Sequence, residues 1–97
     1  MSIEIKLSKP VSAHGAEITS ITLREPMGGD VIDCGFPMTM IASEGNDTEM
    51  RIDARIIGKY ISKLGDVPLS TVKNLSMADI QAAQGIIMGF FGDTQES

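Results

Sequence analysis

Apolar and charged residues alternate strictly over residues 3–7, the period of a half-buried strand. Residues 17–23 are rich in β-branched side chains, which favour strands. Ile18 is out of phase with the apolar residues that follow it, as at a β-bulge or in an edge strand. Turn-forming residues around Gly15 separate the two segments. The pattern therefore predicts a β-hairpin over residues 3–23.

Apolar residues at three- and four-residue steps predict a helix over residues 48–64. The apolar positions are Met50, Ala54, Ile57, Tyr60, Ile61 and Leu64. Gly65 is a natural stop for this helix. The segment before it is broken up by Gly and Pro residues. We expect a short helix near residues 29–34 and a loop over residues 44–48, while no period assigns residues 38–43.

The last predicted helix runs from about residue 76 to residue 91, after a Pro-containing connector with room for one helical turn. At its start, Ser76 and Asp79 form a pair similar to a capping box, with Asp in place of the usual Glu. Strands that precede helices, rather than alternate with them, favour an α+β fold. We therefore predict one domain over residues 1–97, in which an N-terminal β-hairpin packs against a C-terminal helical half of two main helices plus short turns.

The last helix is apolar around more of its circumference than a surface helix needs. Its large apolar side chains cover roughly 200° at 100° per residue, whereas one-sided burial needs little more than about 100°. Small residues occupy the opposite side. Either the helix is central in its own fold and the glycines allow a close crossing, or it meets another chain. The candidate partner-binding residues are Met77, Ala78, Ala82, Gly85, Ile86, Met88, Gly89 and Phe90.

The helix predicted over residues 48–64 carries a basic residue at every fourth position, along one stripe. These residues are Arg51, Arg55, Lys59 and Lys63, half of the eight Lys and Arg residues of the chain. A solvated helix face accounts for such a stripe, and so does a docking face for an acidic partner. The stripe is therefore a second candidate for partner binding.

The tripeptide Arg24-Glu25-Pro26 directly follows the predicted hairpin. Two interpretations of its charged side chains remain open. In the first, both side chains are solvated at the end of the strand. In the second, Arg24 ties the hairpin to the helical half through a carboxylate.

Composition and charge narrow the classes of function. The chain has one Tyr, three Phe and no Trp, so its core must consist mainly of aliphatic side chains and Met. Seven Met residues suit either core filling or an adaptable contact surface. The net charge of −5 argues against general nucleic-acid binding, which needs clustered cations. The sequence has no signal-peptide pattern and no apolar run of membrane-spanning length, which predicts a cytoplasmic protein without membrane contact.

Few residues are candidates for catalysis or metal binding. With one His and one Cys, the chain can build neither a Cys/His zinc cluster nor a two-His metal motif. Cys34 is expected to be a small buried hydrophobe, and His14 a surface residue of the hairpin turn. No phosphate loop and no dinucleotide fingerprint is present. We predict no enzymatic activity, no catalytic residue, no cofactor and no metal.

Several short motifs together resemble a known family. They are Lys9-Pro10-Val11, Gly15, Ile21-Thr22-Leu23-Arg24-Glu25-Pro26 and Gly29-Asp30-Val31, followed by Leu75, Ser76 and Asp79-Ile80 at the start of the last helix. This order resembles the small tail assembly chaperones of Mu-like and P2-like contractile-tailed phages, in which a hairpin with a Leu-Arg-Glu-Pro motif precedes helices.

The resemblance implies a binding role rather than a reaction. It implies an assembly chaperone that binds the tape-measure protein, a long helical chain that sets tail length, and keeps it soluble until tail-tube subunits polymerise around it. The tail-tube protein and a second copy of the chain are further candidate partners. Two alternatives stay open, a structural minor tail protein and a small oligomeric adaptor.

Overall fold

The computed structural model describes residues 2–42, 45 and 48–94. In chain order the elements are β1 (Ser2–Ala13), β2 (Ala16–Arg24), α1 (Gly28–Cys34), β3 (Met38–Ala42), β4 (Thr48–Ile52), α2 (Ala54–Gly65), α3 (Leu69–Lys73) and α4 (Met77–Thr94). The strands form two separate antiparallel pairs, β1–β2 and β3–β4. Helices α2 and α4 pack against the first pair. This arrangement confirms the predicted α+β fold.

A two-residue turn joins β1 to β2 at the predicted place. His14 and Gly15 both have positive φ, 52° and 78°, as in the turns whose twist matches that of the flanking strands. The exposed His14 ring also donates a hydrogen bond from Nε2 to the carbonyl oxygen of Asp66, 3.0 Å away, just after α2. The turn is therefore held against the end of a helix.

A bulge interrupts the β1–β2 ladder. Pairing stops at Lys6 and resumes at Val11, whose partner is Ile18, so residues 7–10 face only Thr19 across the ladder. The interruption lies beside Ile18, whose phase predicted a bulge or an edge strand, and the extra residues belong to β1. A Pro lies within the bulge, where the strand needs no N–H group for the ladder.

The bulge is also where α4 is tied to the hairpin. The backbone N–H of Ser8 lies 3.0 Å from each carboxylate oxygen of Asp79, and the Ser8 hydroxyl donates to Asp79 Oδ2 over 3.1 Å. At the start of α4, Ser76 Oγ accepts a hydrogen bond from Asp79 N–H over 3.2 Å. This bond confirms that Ser76 caps the helix, while the buried Asp79 side chain binds the hairpin.

The sequence prediction was wrong over residues 48–52, which form β4 instead of the start of a helix. Residues 49–52 alternate between polar and apolar types and so satisfy a strand period, while Met50 also fits the helical period of the residues that follow. Residues 48–52 pair with β3, which supplies the segment that periodicity left unassigned. The helix itself, α2, begins at Ala54, where the carboxylate of Asp53 accepts a hydrogen bond from Arg55 N–H over 2.9 Å.

The core lies between the first hairpin and helices α2 and α4. Its buried side chains include Ile5, Ile21, Leu23, Ile57, Tyr60, Ile61, Leu64, Ala83, Ile87, Phe90 and Phe91. The hydroxyl of Tyr60 donates to the carbonyl oxygen of Gly35 over 2.5 Å, and burial raises the pKa of this hydroxyl. Gly65 is required where α2 crosses β2, because a Cβ atom there would lie 2.6 Å from Ile21 Cγ2.

Candidate partner-binding surfaces

One side of α4 is exposed and carries small or apolar predicted docking residues, together with the polar Gln81. The exposed members of the predicted set are Met77, which is 73% exposed, Ala78, Ala82, Gly85 and Gly89. Ile86 and Met88 are half-buried and pack against the core. Phe90 is buried within the core, which corrects the prediction that it faces a partner. We call the five exposed residues the α4 outer face.

The glycines of the α4 outer face have no neighbour inside the described chain. A Cβ atom built at Gly85 or at Gly89 would meet no atom within 4 Å. The alternative in which these glycines allow a close crossing inside the fold therefore fails for the described residues. Each glycine still lowers helix stability by about 1 kcal/mol relative to Ala. No close packing at these glycines within the described chain offsets this loss.

The four basic residues do not form one helical stripe as predicted. Arg51 lies in β4, and only Arg55, Lys59 and Lys63 follow one another on α2. Lys63 forms an ion pair with Asp33, and this carboxylate raises the pKa of Lys63. Arg55 and Lys59, in the first half of α2, form no ion pair with any of the described residues.

An apolar groove lies between α2, α3 and α4, with a volume of about 490 Å³. Its apolar lining comes from Ala54, Gly58, Leu69, Val72, Leu75 and Ile80. Arg55, Lys59 and Lys73 complete the lining with basic side chains. We call this site the cationic groove. Sequence analysis missed it, because its walls come from three helices whose relative placement no local pattern predicts.

A further apolar region surrounds α1. Met27, Ile32 and Phe36 are 70%, 84% and 63% exposed. The ring of Phe36 contacts that of the core residue Phe91, with 6.3 Å between the ring centroids. The nearby Met40 of β3, also exposed, faces Met50 across the β3–β4 pair. Sequence analysis did not single out these residues, although the Met content of the segment was the available signal.

Arg24 ties the hairpin to α1, as one of the two sequence interpretations predicted. Its guanidinium donates to both carboxylate oxygens of Asp30, over 2.8 and 3.0 Å. The backbone N–H of Met27 donates to the same carboxylate over 2.7 Å. The hydrogen bonds from Arg24 are the main reason that the pKa of the buried Asp30 falls to about 2. This contact is a structural anchor rather than a reactive site.

The described residues offer surfaces for binding rather than groups for chemistry. They include no cluster of three or more His, Cys, Asp or Glu side chains that could hold a metal ion. The Cys34 thiol is half-buried, and its burial raises its pKa, which disfavours the reactive thiolate. Among these residues no helix is long and apolar enough to cross a membrane.

A family comparison matches nearly the whole chain. The model of the phage tail assembly chaperone proteins, described as "E, or 41 or 14", matches residues 4–92. The chain belongs to this family. Comparisons with curated proteins and with solved structures gave no match.

The region that matches the family model includes the candidate surfaces of this tail assembly chaperone. The matched region begins in β1 and ends in α4, so it contains the hairpin, the Arg24–Asp30 anchor, the α4 outer face and the cationic groove. The family is non-enzymatic, which confirms the prediction that the chain is not an enzyme, and its partners are components of the phage tail.

Proposed function

We propose that this tail assembly chaperone binds the tape-measure protein and keeps it soluble in the host cytoplasm while the tail assembles. The observation that carries the proposal is the α4 outer face, an exposed strip of Met, Ala and Gly with one exposed polar neighbour, Gln81. Exposed apolar surface rimmed by polar residues marks interaction sites. The family supplies the class of partner, because tail assembly chaperones act on tail components.

The chemistry of the α4 outer face suits a helical partner. Gly85 and Gly89 place no side chain between the backbone of α4 and whatever docks there. Another helix can therefore approach closely and bury its own apolar stripe. The exposed Met77 at the start of α4 tolerates varied neighbours, because its side chain is flexible and polarizable. A long helical tape-measure chain presents many such stripes before the tail tube covers them.

Co-expression with the tape-measure protein of the same phage tests the proposal. The double variant Gly85→Leu, Gly89→Leu should fold, because both sites face open space and Leu favours helix. Its leucine side chains should block close approach, so the tape-measure protein should become insoluble. The measurement is the soluble fraction of the tape-measure protein after co-expression. A folded double variant that still solubilises it would overturn the assignment to α4.

A matched control makes the same chemical change elsewhere. Gly28→Leu, Gly29→Leu also places two leucines on an exposed helix, α1, where the added Cβ atoms meet nothing within 4 Å. This control should retain solubilisation. If the control and the α4 variant fail equally, the loss reflects added surface hydrophobicity rather than the α4 outer face, and the assignment is contradicted.

Virion composition separates the chaperone from its main alternative, a structural minor tail protein. A chaperone leaves the complex when tail-tube subunits replace it, so the chain should be absent from purified virions by mass spectrometry. A stoichiometric amount in virions would favour the structural alternative. Homo-oligomerisation and contact with the tail-tube protein fit the same surface, and both would appear as mixed complexes in the co-expression experiment.

A further inference from the structure

We infer that the cationic groove is a second docking site of the chaperone, distinct from the α4 outer face. Its occupant is an amphipathic helix of the tape-measure protein whose apolar stripe is bordered by acidic residues. The inference rests on the proposed function for the identity of the partner. The chemistry of the partner helix follows from the groove itself.

The apolar lining of the groove is open to an incoming side chain. Leu69 of α3 is 44% exposed although it is a large apolar residue. Opposite it, Gly58 of α2 contributes no side chain, and a Cβ atom there would lie 4.0 Å from Leu69 Cδ1 and 3.9 Å from Val72 Cγ1. At Gly58, α2 and α3 therefore pack closely, and the exposed part of Leu69 is the apolar surface of the groove that stays open to a partner's side chain.

The charges beside this lining have no ion-pair partner among the described residues. No carboxylate of the described residues forms an ion pair with Arg55, Lys59 or Lys73, whereas Lys63, one turn further along α2, is paired with Asp33. These three cations stand on a chain whose net charge is −5. An acidic segment is therefore repelled by the molecule as a whole and attracted to this site, which gives both steering and orientation.

The walls of the groove favour a helix over an extended peptide. The walls come from three helices and from Leu75, just before α4. None of these lining residues belongs to a strand, so the groove offers no strand edge for a β-strand to extend. A helical segment brings its backbone hydrogen bonds already satisfied. It needs only an apolar stripe for the lining and acidic residues for the cations.

The groove lacks the features of a small-molecule site. Its volume of about 490 Å³ is in the range of such pockets, so size alone does not decide. Specific small-molecule sites add convergent polar groups to an apolar lining. Here no buried side-chain N or O atom among the described residues lacks a hydrogen-bond partner. The polar groups of the groove are flexible cations at its sides, which suits an acidic macromolecular segment.

Charge reversal with a matched control tests the electrostatic half of the inference. Lys59→Glu, Lys73→Glu reverses two cations of the groove, and Lys6→Glu, Lys9→Glu makes the same change in net charge on the exposed side of β1. The probe is a tiled set of tape-measure fragments, and the dissociation constant is measured at low and at high salt. The groove variant should bind about tenfold more weakly at low salt, and the difference should shrink at high salt.

Two outcomes of that measurement would overturn the inference. Equal weakening by both variants would mean that only the net charge matters. Unchanged binding by the groove variant would mean that the cations do not contact the partner. Exchanging the acidic residues of the bound fragment for Lys should restore binding to the groove variant, and a failure of this rescue would also count against it.

Filling the groove tests the apolar half. Gly58→Phe should place a ring over Leu69 and weaken fragment binding about tenfold or more. Gly58→Ala is the control, because its added methyl group stays in ordinary van der Waals contact and helix propensity rises. The melting temperature shows that both variants fold. Full binding by a folded Gly58→Phe variant would contradict the inference.

The failure of this inference can be distinguished from failure of the proposed function. If the wild-type chain binds no tape-measure fragment, the proposed function falls and the occupant of the groove falls with it. If the wild type binds, the α4 variant fails and the groove variants bind normally, the function stands and the groove inference is wrong. If both sets of variants fail, two separate surfaces hold the partner.

Discussion

The inner side of α4 is apolar and its outer side carries mainly Met, Ala and Gly, but the surroundings of the two sides differ. On the inner side, Ala83 and Ile87 are fully buried, and the helix packs against β1 and α2. On the outer side, Gly85 and Gly89 face open space. Burial lets the inner side stabilise the fold, whereas the outer glycines weaken the helix. The comparison teaches that one helix joins a side that stabilises the fold to a side whose glycines gain no packing inside the described chain, the side that we propose as the docking surface.

The largest expected effect comes from damaging the inner side. Ile87→Ala should lower the free energy of unfolding by about 2–5 kcal/mol, because Ile87 is fully buried and the deletion leaves a cavity. Urea unfolding measures the loss. Ala82→Ser on the outer side is the control and should change stability by less than about 0.5 kcal/mol. Equal losses at the two positions would break the distinction between the sides.

Low pH should weaken the Arg24–Asp30 anchor between the hairpin and α1. It should leave the α4 outer face unchanged, because neither residue belongs to that face. The pKa of Asp30 is about 2 in the folded chain, below its ordinary value of 3.8, because Arg24 donates two hydrogen bonds to it. A lowered folded-state pKa gives stability that is present above the unfolded-state pKa and lost as pH falls through the folded one. About 1–2 kcal/mol should therefore disappear between pH ~5 and pH ~2.

The variant Asp30→Asn isolates this contribution. It should be less stable than the wild type at neutral pH, and the difference should shrink as the pH falls. Chemical unfolding across the pH range gives both curves. Parallel curves would show that the Arg24–Asp30 anchor does not contribute to stability in the folded chain.

A smaller loss is expected at the start of α4. Ser76→Ala removes the hydroxyl that accepts the hydrogen bond from Asp79 N–H and should cost about 0.5–2 kcal/mol. Thermal unfolding measures it. Ser70→Ala, at an exposed position of α3, serves as the control. No loss at Ser76 would mean that the cap is dispensable.

The smallest effect should have the opposite sign. Gly85→Ala and Gly89→Ala should each raise stability, by up to about 1 kcal/mol, because the added methyl groups meet no neighbour and helix propensity increases. The melting temperature should rise. Destabilisation would show that the outer side has packing contacts, and the contrast between the two sides would then fail.

The local features of the fold were predictable where one period dominates. The hairpin, its turn at Gly15 and its bulge near Ile18 follow from alternation and its interruption. The cap at Ser76 follows from residue type and spacing. Residues 48–52 were missed because Met50 fits the helical period while residues 49–52 also fit a strand period, and only pairing with β3 decides between them.

The surfaces were less predictable than the elements. Sequence spacing put Phe90 among the partner-binding residues, but the extent of α4's buried side depends on where α2 and the hairpin lie, and Phe90 falls inside it. The cationic groove is lined by Lys59 of α2 and Lys73 of α3. Their placement at one site depends on tertiary packing, which no local sequence pattern predicts. The exposed glycines were predictable because their small size is visible in the sequence.

Site-specific photo-crosslinking tests the central claim most directly. A photoreactive amino acid at position 82, on the α4 outer face, is compared with the same residue at position 22, on the exposed side of β2. In cells that also produce the tape-measure protein, position 82 should give a crosslink to that protein and position 22 should not. A tape-measure protein that stays soluble yet crosslinks only from position 22, or from neither position, would contradict the assignment of the outer side of α4 as the chaperoning surface.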